Sequence, residues 1–316
     1  MKKINRKKIS VIGGGTGTYT VLKGLKKKNV NLSAIVSMFD SGGSTGVLRD
    51  EYGDLPLGDI GKCILALADE KNEFLIGLAR QRIQNGSLNP HTFMNLFLKY
   101  AQNFTRSVSD AIEEVSKIYC VKGRVFPVTT DNSHLKAILE DGTEIVGETN
   151  IDIPKHDGNK RIVNLELTSR AVISEDAERA LCSSRIIVIG PGDLYSSIIP
   201  NLLVDGVKDA IYQSNALVIY VCNLVTKFGE TNGFSVEDHV NEINKYLGFK
   251  VDYVIVNNAM PDEETIRKYA LQKSFLVKVK SDDDMNARIK FKDVASSTEL
   301  FRHDSDKLAD EILDLL

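Results

Sequence analysis

VIGGGTGTYT, residues Val11–Thr20, follows a short β-branched run and places four glycines in ten residues. Ile9–Ile12 reads as a buried strand, and Thr18–Leu25 as an amphipathic helix with Val21, Leu22 and Leu25 at helical spacing. A strand that breaks into glycines and restarts as a helix is the first βα unit of a parallel sheet. The bare turn of Gly13, Gly14, Gly15, Thr16 and Gly17 has two readings. It could let helix and strand pack closely. It could also be an anion site, with free N–H groups at the positive end of a helix dipole. The dinucleotide fingerprint GxGxxG is matched at Gly13 and Gly15, but Thr18 stands where the third glycine belongs. Asp40 could hold a ribose at the end of the second strand, yet a long polar loop follows it instead of the next helix.

The pattern extends outward from this unit. Leu32–Met38 reads as the second strand, Asp40–Gly58 as a glycine-rich loop, and the stretch through Ile60, Ile64, Leu65 and Leu67 as a helix. Residues 72–120 read as a helical segment. Residues 122–169 alternate apolar and polar, with Asp141-Gly142 as a hairpin signal, and read as a β-rich insertion. Continuous apolar strands then return at Ile186–Ile189, Val218–Val221 and VDYVIVNN, separated by helical stretches at 235–247 and 263–271, with a last helix over 305–316. The expected fold is α/β: one Rossmann-like, doubly wound domain over 1–316 with a mostly parallel sheet, a helical segment and a β-rich insertion.

Composition narrows the function classes. The 316 residues are 42% hydrophobic and 26% charged, with a net charge of −3. That gives no global basic field for nucleic acid. Lys2, Lys3, Arg6, Lys7 and Lys8 form a local basic cluster, read as a solvated lead-in to the first strand. No apolar run approaches the roughly 18–20 residues a membrane span needs, and no secretory pattern is present, so a cytoplasmic protein is expected. Cys63, Cys120, Cys182 and Cys222 lie far apart without metal-ligand spacing, and read as small buried hydrophobes.

Polar residues gather where strands end. After the second strand come Asp40, Gly42, Gly43, Ser44 and Thr45, with Asp59 at the start of the next helix. Asp40 and Asp59 suit Mg²⁺ or ligand hydroxyls, and are the candidate catalytic pair; Asp59 could equally be a helix cap. Gly190, Gly192 and Asp193 repeat the strand–glycine–helix grammar, and Asn223, Thr226 and Asn257 end the following strands. Arg302 precedes Asp304 and Ser305, and reads either as an ion pair beside a helix cap or as an arginine forked onto a phosphate. There is no HExxH, no GxSxG and no GxxxxGK[ST].

Taken together, VIGGGTGT, DSGGSTGVLRDEYGDLPLGDIGKC, VIGPGDLYSSIIPNLLVDGVKDAI, YVCNLVTKFGETNGFSVEDHV, VNN and RHDSDKLA resemble the bacterial gluconeogenesis factor family, often called YvcK-type, over essentially the whole chain. That family is related to 2-phospho-L-lactate transferase. The resemblance implies binding of UDP-sugars, UDP-N-acetylglucosamine in particular, and a regulatory role linking carbon use to cell-wall (peptidoglycan) synthesis and cell shape. It assigns ligand contacts to Asp40, Gly42–Thr45, Gly190–Gly192 and Arg302, with Tyr269 as the tyrosine after the VNN strand. Ser305 occupies the place of a phosphorylated hydroxyl residue. The chain departs from the family at Ser41, where a second aspartate is common, and at Val47, where an arginine is common. GDIGKC stands for GDIRNC, and the GHxxGN element keeps only His91 and Asn95. The expected function is a nucleotide-sugar-binding regulator needing no cofactor, with Mg²⁺ as an accessory. The alternatives are a Mg²⁺-dependent phosphoryl or nucleotidyl transferase, and an NAD(P) oxidoreductase disfavoured by Thr18.

Overall fold

A computed structural model describes residues 6–46, 55–86, 88–89, 91–280, 288–296 and 301–315. Lys2, Lys3 and Val47 lie outside these residues. β1 (Lys7–Gly13) runs into α1 (Gly15–Leu25), so the helix begins at the third glycine, three residues before the periodicity places it. β2 (Val30–Val36) pairs with β1 in parallel, Ile9 opposite Leu32 and Gly13 opposite Val36. α2 (Gly58–Leu67) returns along the same layer and packs on α1. The helical segment follows as α3 (Glu73–Arg80), α4 (Phe93–Phe104) and α5 (Val108–Ile118). Thr92 and Ser107 cap the last two by accepting from the N–H groups of Asn95 and Asp110.

The stretch 122–169 divides. β3 (Arg124–Pro127) joins the main sheet beside β2. Only β4 (Leu135–Leu139), β5 (Glu144–Val146) and β6 (Ile162–Leu167) form a separate antiparallel sheet, with the short helix α6 (Glu148–Asp152) between its last two strands. β3 is a four-residue edge strand closed by a proline, too short for the alternation to reveal its sheet.

α7 (Glu175–Cys182) leads into β7 (Ile186–Ile189), whose four residues are all buried. A π-helical turn over Leu194–Ile198 continues into α8 (Ile199–Leu202), and α9 (Val207–Ser214) follows. Then come β8 (Leu217–Val221), α10 (Val236–Leu247), β9 (Tyr253–Asn257) and α11 (Glu263–Leu271). β10 (Arg288–Lys292) and α12 (Ser305–Asp314) complete the described chain. β10 reads RIKFK, a charged edge strand with little apolar signal.

The main sheet has seven strands in the order β10-β9-β8-β7-β1-β2-β3. All six of its pairings are parallel. Continuous burial of strands such as β7 is what a sheet covered on both faces requires. Cys63 and Cys222 are buried, whereas Cys120 and Cys182 are exposed, contrary to the sequence reading. Cys120 sits in the turn after α5, and Cys182 ends α7.

α12 lies against α1, and the fit is closest at Gly24. A Cβ added there would stand 1.8 Å from the Ser305 carbonyl oxygen. Alanine normally stabilises a helix interior by about 0.5–1 kcal/mol over glycine, but backbone contact reverses the sign here. Gly24→Ala is expected to lower unfolding free energy by about 1–3 kcal/mol in urea denaturation. A variant as stable as the parent would show that α12 does not seat on α1 this way.

Candidate functional site

The chain leaves β1 toward β2 on one side, while β7 joins β1 on the other. The carboxyl ends of β1 and β7 therefore bound the crevice where strand order reverses, the place where open α/β sheets take ligands. The two turns that end these strands touch through their backbones. A Cβ on Gly17 would lie 2.0 Å from the Pro191 carbonyl oxygen, so only glycine allows the contact. Gly15 has φ +66, also a glycine conformation. The N-cap of α1 is Gly14, and no side chain caps it. Asp59 is not a cap; it lies within α2, with one carboxylate oxygen so near Gly14 that an added Cβ would approach it to 2.6 Å.

The second glycine turn is occupied by the chain itself. Gly192 N–H donates to Asn223 Oδ1 at 3.3 Å, and Asn223 Nδ2 donates back to the Gly192 carbonyl at 2.8 Å. Glu230, fully buried, accepts from Tyr195 N–H at 2.7 Å, Ser196 N–H at 3.2 Å and the Ser196 hydroxyl at 2.8 Å. At Gly192, one of the contacts the resemblance assigns, the N–H is already taken by Asn223. Just beyond, Glu230 takes the N–H groups of Tyr195 and Ser196. What the turn presents instead is the Asp193 carboxylate.

Around the crevice runs a ridge of six carboxylates, Asp59, Asp40, Glu148, Asp152, Asp193 and Glu230, with Lys62 and Lys227 as its cations. Asp40 accepts from Gly42 N–H at 2.8 Å; burial and the neighbouring Asp59 raise its carboxyl above the usual range. Lys62 Nζ pairs with Asp59 at 2.8 Å. Burial would lower that ammonium, but Asp59 and Asp40 hold it above its ordinary value. Glu148 accepts from Ser41 N–H at 3.2 Å, and burial with the Asp40 charge pushes it up to about 7. Lys227 Nζ bridges Asp152 at 2.8 Å and Asp193 at 3.3 Å. Burial, then the Asp193 charge, pushes Glu230 up to about 8.

Carboxylate oxygens of Asp152, Asp193 and Glu230 lie within 4.8 Å of one another. Among the described residues these three acids converge as ligands of one cation would; Asp40 and Asp59 stand beside each other farther along the ridge. Glu148, Asp152 and Lys227 were missed from sequence. The first two lie on α6 of the insertion, where the ETNID stretch carries no motif beyond its charge.

The loop after β2 is fixed by the helical segment. Ser44 Oγ bonds His91 Nδ1 at 2.8 Å, and Asn95 Nδ2 donates to the same hydroxyl at 2.6 Å. Beside it lies a pocket of about 360 Å³ that includes Asp40, Thr45, Lys62, Arg80 and Arg82. Gly42 and Gly43 line the same pocket.

The remaining predicted residues lie farther along the sheet, toward β9. Thr226 and Asn257 have structural partners: Thr226 Oγ1 accepts from Phe275 N–H at 3.0 Å, and Asn257 Oδ1 from Val294 N–H at 3.2 Å. The Tyr269 hydroxyl donates to the Phe301 carbonyl at 2.9 Å, anchoring the segment that carries Arg302. Burial lowers His303 to about 4, and Asp304 caps α12 by accepting from the N–H groups of Asp306 and Lys307 at 2.9 Å each. With both neighbours committed inward, Arg302 is exposed. Ser305 is the first residue of α12 and is half-buried. A pocket of about 290 Å³ lies alongside, between Ala259–Thr265 and Asp293–Phe301.

Residues 9–296 match the family described as 2-phospho-L-lactate transferase CofD. A Thermotoga maritima protein is 41% identical over 312 residues, covering 96% of this chain and 98% of its own. The Bacillus subtilis protein named gluconeogenesis factor is 34% identical over 317 residues, with 98% of each chain covered. A crystal structure of a UPF0052 family member from Bacillus halodurans superposes with a TM-score of 0.93 at 34% identity, over 98% of this chain and 99% of that one.

The ridge makes stability depend on pH. Glu148 and Glu230 bind protons more tightly folded than unfolded. Their stabilisation is full below the unfolded carboxyl range and is lost as pH rises through about 7 and about 8. Urea midpoints should fall across that window. Glu230→Gln, which mimics the protonated acid, should flatten the fall; a slope identical to the parent's would remove Glu230 from this role.

Proposed function

The chain belongs to the 2-phospho-L-lactate transferase CofD family, with gluconeogenesis factors among its full-length relatives, and on that basis we propose that it binds a nucleotide sugar, UDP-N-acetylglucosamine first. In this reading the protein works in the cytoplasm as a regulator linking carbon use to cell-wall synthesis and cell shape. The observation that carries the reading is the uncapped α1 N-terminus, built from Gly14–Gly17, at the crevice between β1 and β7. A diphosphate there would meet backbone N–H groups and the positive end of the helix dipole. Arg302 is the exposed cation assigned to the same diphosphate, through a planar fork that suits phosphate oxygens. Asp40 would accept hydrogen bonds from sugar or ribose hydroxyls, the neutral donors an acidic ridge can hold without repulsion.

A hard divalent cation fits the oxygen donors of Asp152, Asp193 and Glu230. Lys227 already bridges two of the three, and would have to yield its place. When bound, Mg²⁺ would screen phosphate oxygens from the ridge and polarise them. The chain's own residues would do the rest: α1 orients the diphosphate, and Lys62, paired with Asp59, offsets the carboxylate that lies beside Gly14.

Calorimetry should show UDP-N-acetylglucosamine binding by the intact chain, weakened at least about tenfold in Arg302→Glu, as loss of a charged hydrogen bond implies. Unchanged affinity in that variant would remove Arg302 from the site, and no binding by the parent would remove the ligand.

One observation favours a second reading, phosphoryl or nucleotidyl transfer. Asp40 and Glu148 are raised carboxyls that face one another, the environment that sets up a proton-accepting group. Phosphorus NMR of the protein with Mg²⁺, nucleotide and hydroxylated acceptors would show a new phosphorus species if this holds. An unchanged spectrum after long incubation would leave the regulator.

A further inference from the structure

The basic N-terminal cluster, read from sequence as a solvated lead-in, has a structural destination. Arg6 and Lys8 line a cavity of about 640 Å³ together with Lys26, Lys28, Lys122 and Arg124. It opens at the amino ends of β1, β2 and β3, where Lys8 stands opposite Asn31 and Ser33 opposite Arg124. Five residues of β1 separate Lys8 from Gly13, about 16 Å of strand, so this cavity lies at the other edge of the sheet from the crevice.

Cations at this edge have an ordinary explanation, because helix carboxyl ends point here and attract positive charge. It accounts for some of them. Lys26 Nζ donates to the Ala68 carbonyl at 3.0 Å and pairs with Glu70 at 3.5 Å. Lys28 pairs with Asp310, and Lys122 with Asp69 at 3.6 Å. Arg179 is held by Asp176 at 2.7 Å. Arg6, Lys8 and Arg124 are left over: among the described residues none of their three side chains has an ion-pair or hydrogen-bond partner. Three unpaired cations converging on one concavity, in a chain of net charge −3, ask for an anion.

We propose that this cavity is a second binding site, for a small ligand carrying two or more adjacent phosphate groups. Lys8 and Arg124 sit on strands separated by β2 and offset by two residues, about 12 Å apart at the backbone, a span for a phosphate chain more than for one phosphate. Lys26, its side chain only 7% exposed, sits among them with a lowered pKa, because burial and the charges of Lys122 and Lys23 outweigh Glu70. An anion in the cavity would relieve that repulsion. The half-buried Phe126, on the same face of the sheet as Arg124, offers an apolar wall against which a base could lie. The cavity volume is in the range of small-molecule sites.

Calorimetry of the full chain in magnesium-free buffer with EDTA tests this, using inorganic tripolyphosphate and, separately, ATP. Removing divalent cations weakens phosphate binding at the acidic crevice, and the Arg302→Glu variant separates any heat from that crevice from heat of the basic cavity. Binding should weaken steeply with added salt. It should fall about tenfold or more for each cation removed in Lys8→Gln and Arg124→Gln, and it should be unaffected by Arg302→Glu. ATP binding tighter than tripolyphosphate would add the apolar wall to the site; equal binding would assign it to the phosphate chain alone. Both residues are exposed at strand ends, and unchanged urea midpoints would confirm intact variants. No heat with either probe, binding retained by the double variant, or binding lost in Arg302→Glu would each overturn the site. These outcomes are independent of whether the chain binds a nucleotide sugar.

Discussion

The backbone contact between Gly17 and Pro191 sets the geometry of the whole carboxyl edge. It brings the first turn of α1 against the turn that ends β7, with no side chain between them. Once those two turns touch, the directions of α1 and of the Leu194–Ile198 turn are fixed, and with them the positions of Asp193 and Glu230. A larger residue at position 17 would separate two strands' worth of loops, because both are anchored to adjacent members of one sheet. Glycine here serves close approach first; whatever anion the turn holds is a consequence of that approach.

The electrostatics of the crevice pull in two directions. An uncapped helix start favours an anion, while six carboxylates with two lysines around it favour a cation or neutral hydroxyls. The chain moderates the conflict by burying Glu230 against its own N–H donors and by keeping Glu148 near neutrality in its titration. A nucleotide sugar offers both halves, a charged diphosphate and an uncharged polyol. That is why it suits this edge better than a bare phosphate would.

Much of this was legible in the sequence, for identifiable reasons. Buried strands such as Ile186–Ile189 announce themselves by continuous apolar character, and the glycine turns mark where they end. The family resemblance rested on the same glycine and acid motifs. What stayed hidden depends on pairing across the chain. RVFP reads as part of the β-rich insertion and RIKFK gives no strand signal, yet both join the main sheet because a neighbour offers a free edge. Glu230, which carries no sequence signal of its own, is the internal partner of Ser196, 34 residues away. Asp152 and Lys227 are 75 residues apart, so no local spacing could join them. Arg6 and Lys8 were visible as charge, but not as part of a concavity.

The clasp between Ser41 and the insertion carries a constraint of its own. The Ser41 hydroxyl lies 3.1 Å from that of Thr149, its N–H donates to Glu148, and the stretch resembles a family in which aspartate is common at this position. An aspartate here would add a third negative group beside Asp40 and Glu148, with no lysine placed to offset it. Positions 41 and 148 are therefore not free to vary separately. An acid at 41 calls for a neutral 148 or a cation in the gap, while serine joins the insertion through its hydroxyl and its N–H. The side chain at a single loop position is thereby coupled to the insertion that it touches.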